Sequence, residues 1–137
     1  MTGHVLSRLA TFEQSLQRLE EALQLPQDGI VRDACIQRFE FTFEMAWRAV
    51  QAYVQREGLT CESPRECWRV AFRLGLIEDD RRWMTMVEDR NRTSHTYDEE
   101  EAKAIYVALR DYAPLLQGLL DRLRAGEALH RSDNKGA

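Results

Sequence analysis

The sequence predicts an all-α protein, an antiparallel up-and-down bundle of four main helices plus a short one. Three observations carry that expectation. Apolar residues recur three or four apart along nearly the whole chain, and glycine and proline interrupt them where helices would end. No stretch alternates apolar and polar residues for the length of a strand. At 137 residues with no internal repeat, the chain has room for one core, placed at 1–126, followed by a polar tail at 127–137 expected to be flexible.

The first segment spaces Leu6, Leu9, Phe12, Leu16, Leu19 and Leu23 along one helical face. Pro26, Asp28 and Gly29 break it. A long second helix then runs from Ile30 to Val54, with Gly58 as its stop, and its apolar residues occupy more than one face. That distribution suits a central helix or one that keeps a face for a partner. Ser63, Pro64 and Glu66 have the form of a capping box at the start of a short helix through Cys67, Val70, Ala71 and Leu74, which Gly75 closes.

Asp79 or Asp80 caps the next helix, through Trp83, Met84 and Val87. The acidic run from Asp98 to Glu101 suits the N-terminus of the last helix, where its negative charge complements the positive end of the helix dipole. Pro114 either kinks that helix or starts a new segment, and the leucine stripe from Leu115 to Leu123 favours a kink. Beyond Gly126 the residues from His130 to Ala137 read as frayed.

Composition narrows the function. A net charge of −4 and a pI near 5.4 argue against broad affinity for nucleic acid, so any RNA contact must be local. No apolar run approaches the roughly 20 residues of a membrane helix, and the N-terminus does not resemble a secretory signal, so a cytoplasmic protein without a membrane partner is expected. Cys35, Cys61 and Cys67 cannot all pair within one chain and lack histidines spaced for zinc; they are expected to be reduced packing residues. Trp47, Trp68, Trp83, Phe39 and Phe43 are expected in the core or an interface, and His4 and His130 are assigned no role. There is no Gly-rich phosphate loop, so this chain is not expected to bind ATP or another cofactor.

The stretch from Asp89 to Tyr97 is the most unusual part of the chain. Arg90 and His95 would lie about 140° apart on a continuous helix, so they converge only if the helix ends near Thr93. Arg90 and Arg92, with Arg81 and Arg82 upstream, would then form a local cationic patch suited to a phosphodiester. His95 titrates near neutral pH and can move a proton, and Arg90 can stabilise charge on phosphate oxygens. The RNA 2′-hydroxyl supplies the nucleophile, and the chemistry requires no metal. One such histidine per chain means that a symmetric homodimer would provide both proton-transfer groups. Taken singly, Arg90 beside Asp89 reads as a solvated helix end with a surface ion pair, and His95 as a loop histidine. Glu40 and Glu44, one turn apart, read as a polar stripe.

Arg90, Asn91, His95, Thr96 and Tyr97 resemble the R-x4-H-x-Y motif of HEPN-domain proteins. The segment from Gln37 to Trp47 is similar to the second-helix signature of the nucleotidyltransferase substrate-binding family within that group, and the likeness spans about Leu6 to Leu123. The resemblance implies a bundle that forms a complex with a cognate minimal nucleotidyltransferase. In several such pairs the HEPN protein is a ribonuclease toxin, and the transferase is an antitoxin that uses ATP to add AMP to the motif tyrosine. By that likeness Arg90 and His95 are catalytic, Asn91 is supporting, one of Glu40 and Glu44 lies near the cleft, and Tyr97 is the modification site. Other members are substrate-binding or docking subunits of the transferase with no nuclease role, an alternative that stays open beside a plain structural bundle.

Overall fold

The computed structural model describes residues 2–95 and 98–136, with the side chains of 2, 3, 95 and 134–136 left out. These residues form α1 (Thr2–Leu23), α2 (Gly29–Arg56), α3 (Pro64–Arg73), α4 (Arg82–Arg92), a 3-10 turn (Thr93–His95) and α5 (Glu99–Gly136), with no strand among them. Directions follow from the cross-helix bonds. Arg38 donates to the Arg18 carbonyl and Thr42 to the Ser15 carbonyl, so α1 and α2 are antiparallel. Phe39 stacks on Tyr112 and Arg56 pairs with Glu127, so α5 runs parallel to α2. Arg122 reaches Glu78 while Tyr112 reaches Asp89, so α4 opposes α5. The result is an up-and-down bundle whose third leg is split into α3 and α4.

Local chemistry sets the ends of the helices. The Asp28 carboxylate accepts from the Val31 N–H at 2.8 Å, Ser63 Oγ from Glu66 N–H at 3.3 Å, and Asp98 from the N–H groups of Glu100 and Glu101. Glu66 reaches back to the N–H of Glu62, one residue before the cap. Asp80, one residue before the cap position of α4 at Arg81, accepts from the N–H of Arg82. Gly58 and Gly75 stop α2 and α3 with φ of 84° and 77°, a region in which a Cβ would be strained. α2 packs against every other element, which accounts for its apolar residues on several faces. The core joins Leu9, Phe12, Leu16 and Leu19 of α1 to Phe39 and Phe43 of α2, and Trp68 packs edge-on to Phe43 and tilted against Trp83.

Three expectations need correction. Cys61 and Cys67 are joined in a disulfide rather than reduced: Gly58 turns the chain back, Cys67 faces inward on α3, and the two Cα atoms lie 5.0 Å apart, within bridging range. Only Cys35 is left as a buried thiol. The second correction concerns the tail, because α5 passes through Pro114 and Gly126 and continues to Gly136. Glu127 is buried in an ion pair with Arg56, and Gly126 is where Tyr53 packs so close that a Cβ would collide with its ring. Glycine there permits close approach instead of ending the helix. Third, Ile30 stands exposed at the start of α2 and takes no part in the core.

Candidate functional site

The helix carrying Arg90 ends where the motif required. Thr93, itself buried, turns its hydroxyl back to the Arg90 carbonyl at 2.7 Å while its N–H bonds the same oxygen, a tight closure that converts the last turn to 3-10 geometry. That turn packs against both α2 and α5 and ends at His95. Tyr97, the expected modification site, lies outside the described residues.

Arg90 is held from across the bundle. Its guanidinium lies 3.8 Å from Glu44 of α2, which also accepts from the Trp47 indole at 3.0 Å and from Arg48 at 3.3 Å. The indole and Arg48 fix the carboxylate, which stands at ion-pair distance from the arginine without a hydrogen bond, so the half-exposed guanidinium keeps its donors for a phosphate. Arg90 Nε is buried without a hydrogen-bond partner among the described residues, leaving one donor unspent. Of the two glutamates, Glu44 is therefore the one at the site. Glu40, a turn away and half-buried, forms no ion pair among the described residues, and Asn91 is exposed.

The expected cationic patch is largely neutralised. Arg82 is bound to Asp80, whose carboxyl is held below its usual range by that hydrogen bond, and Arg92 is bound to Asp89, which raises the guanidinium pKa. Local positive charge at the turn rests on Arg90, itself facing Glu44. The plain alternative, a solvated Asp89–Arg90 surface pair, is not what forms. Asp89 is buried, accepts a hydrogen bond from the Tyr112 hydroxyl of α5, and pairs with Arg92. Burial and the neighbouring Asp89 push the Tyr112 hydroxyl pKa up to about 12. Asp89 and Tyr112 thus clamp the last turn of α4 to α5 immediately before Arg90. A signal for this existed, since Asp89 follows Met86 by three residues on the inward face, but its charge concealed it.

Residues 7–125 match the model of the family described as nucleotidyltransferase substrate binding protein like. The chain belongs to that family. The match ends before the last turns of α5, close to the limits that the HEPN-type motifs implied. A relative from Haemophilus influenzae, called probable ribonuclease HepT, is 34% identical over 103 residues, covering 72% of this chain and 70% of the relative. A crystal structure of a Thermus thermophilus protein is 45% identical with a TM-score of 0.79, covering 82% of this chain and 98% of that one. A Haemophilus influenzae structure, described as revealing the fold of a substrate binding domain of a nucleotidyltransferase, is 27% identical with a TM-score of 0.65, covering 90% of this chain and 99% of that one. The family and its all-helical fold are therefore common ground for this chain and these relatives. No helix among the described residues is long and apolar enough to cross a membrane.

Proposed function

We propose that this chain is a HEPN-type, metal-independent endoribonuclease, the toxin of a toxin–antitoxin module, neutralised by a cognate minimal nucleotidyltransferase that adenylylates Tyr97. The observation that supports it best is Arg90, paired with Glu44 at 3.8 Å at the end of α4 and followed at once by the tight turn that ends at His95. In the reaction the RNA 2′-oxygen attacks the adjacent phosphorus and the P–O5′ bond breaks, leaving a cyclic phosphate and a 5′-hydroxyl. His95 takes the 2′ proton, Arg90 stabilises the charge on the equatorial oxygens, and His95 of a second copy protonates the leaving oxygen. The working unit is accordingly a homodimer in the cytoplasm, where RNA and the partner meet. ATP belongs to the transferase. An AMP group on Tyr97 adds bulk and negative charge beside the motif and excludes an RNA phosphate.

Expression without the partner tests the nuclease: wild type should arrest growth and cleave cellular RNA, and His95→Ala should do neither. Harmless wild-type expression refutes the toxin. Intact mass after co-expression tests the partner, with a gain of one or more AMP units that Tyr97→Phe abolishes. A second reading, a non-catalytic docking subunit of the transferase, is favoured by the family description and by the substrate-binding fold of the Haemophilus structure. It gains if the complex forms with no RNA cleavage and no change in mass.

A further inference from the structure

Arg65, Arg69 and Arg73 recur every four residues along α3 and leave the bundle on one side, opposite the buried Cys67, Trp68, Val70 and Ala71. At 100° per residue they cover an arc of about 80°, and Phe72, half-exposed at 50%, stands at the edge of the same strip. All three arginines are exposed and none pairs with a carboxylate among the described residues, unlike Arg82, Arg90, Arg92 and Arg122. Arg81, also exposed and unpaired among the described residues, lies with Arg69, Phe72 and Arg73 around one cleft beside Trp83; of the three acids there, Glu78 and Asp80 are engaged by Arg122 and Arg82, which leaves Asp79 against three arginines. This is a strip of unspent positive charge on a chain whose net charge is −4.

We infer that this face of α3 is a binding strip for the backbone of single-stranded RNA, apart from the Arg90 turn and feeding it. The inference rests on the ribonuclease proposal for its substrate. Arginines four residues apart stand about 6 Å apart along the helix axis, on the scale of neighbouring phosphates in a single strand. Each guanidinium can grip phosphate oxygens with two parallel N–H bonds. Phe72 offers one ring on which a base can stack, a contact that tolerates any sequence. Trp68 couples the strip to the site's own helix, because it is buried on the inner face of α3 against Trp83 of α4. A protein partner would need a broad apolar contact area, and this face supplies only Phe72 with part-exposed Leu59 and Leu74 at its border, set among unpaired charges.

The test uses the full chain carrying His95→Ala, so that RNA is bound and not consumed, with a fluorescein-labelled single-stranded RNA read by anisotropy across a salt series. Changing Arg65, Arg69 and Arg73 together to Ala should weaken binding at least tenfold at low salt. It should also flatten the slope of log K against log salt by about 2, three phosphate contacts at roughly 0.7 each. Replacing all three with Lys should preserve the slope, and Phe72→Ala should weaken binding about tenfold with the slope unchanged. An alanine variant with unaltered affinity and slope overturns the strip, as does one that keeps RNA but loses the nucleotidyltransferase. Cleavage by the His95-intact protein is scored separately. Cleavage that persists while the strip fails leaves the nuclease standing; intact RNA with a working strip refutes the nuclease alone.

Discussion

Replacing Tyr112 with Phe removes one hydroxyl and nothing else from the clamp that precedes Arg90. Tyr112 is 3% exposed and Asp89 is 7% exposed, so water does not replace the lost donor, and the carboxylate keeps only Arg92, whose own side chain is 54% exposed. A hydrogen bond to a buried charge contributes about 2 kcal/mol. Spread over the unfolding entropy of 137 residues, that is a drop in Tm of about 7 °C.

The same pair makes a pH prediction. The folded pKa of the Tyr112 hydroxyl is raised to about 12, so the native state holds that proton more tightly than the unfolded chain, whose tyrosines titrate near 10. Its stabilisation is therefore fully present below pH 10 and is lost as pH rises towards 12. About 3 kcal/mol is at stake. Urea denaturation of wild type and Tyr112→Phe from pH 7 to pH 12 reads both effects, and the gap between the two proteins should close over the last two pH units. A Tm shift under about 2 °C, or a gap that stays constant to pH 12, would show that the Tyr112 hydroxyl does not bind Asp89 and that the clamp is not formed.

Glu44→Gln should leave Tm nearly unchanged, since a side-chain oxygen remains for the Trp47 indole and Glu44 and Arg90 are 32% and 40% exposed, yet lower RNA cleavage about tenfold through kcat because Arg90 loses its ion pair. Unchanged kcat would remove Glu44 from the site. Reduction of the Cys61–Cys67 bond, six residues apart, should cost about 2 kcal/mol and about 7 °C in Tm. A Cys61→Ser, Cys67→Ser variant should be insensitive to reductant, and a wild type equally insensitive would mean that the two thiols are free in solution.

The division between what was legible in sequence and what was not follows the range of the interactions. Helix starts near Ser63, Asp80 and Asp98 were legible because a cap or a terminal charge acts on backbone N–H groups two or three residues away, whereas Asp28, read only as a break, also caps α2. Gly58 and Gly75 were legible as stops for the same reason, their backbone angles being a local property. Gly126 and Glu127 were misread because their partners, Tyr53 and Arg56, lie about seventy residues back and on another helix. Cys61 and Cys67 lie close in sequence, yet only the turn after Gly58 brings them face to face.

By itself the sequence determined the all-α class, the stops at Gly58 and Gly75 and most of the core stripe of α1, because periodicity and capping act within a few residues. Tertiary structure alone decided which carboxylate an arginine meets on another helix. Arg90 faces Glu44 and Arg56 faces Glu127, and the arginines of α3 face none among the described residues, whereas Arg82–Asp80 and Arg92–Asp89 pair within three residues along the chain. Charge pairing depends on which faces the packed helices turn towards one another, and that is settled by burial of apolar surface over the whole bundle.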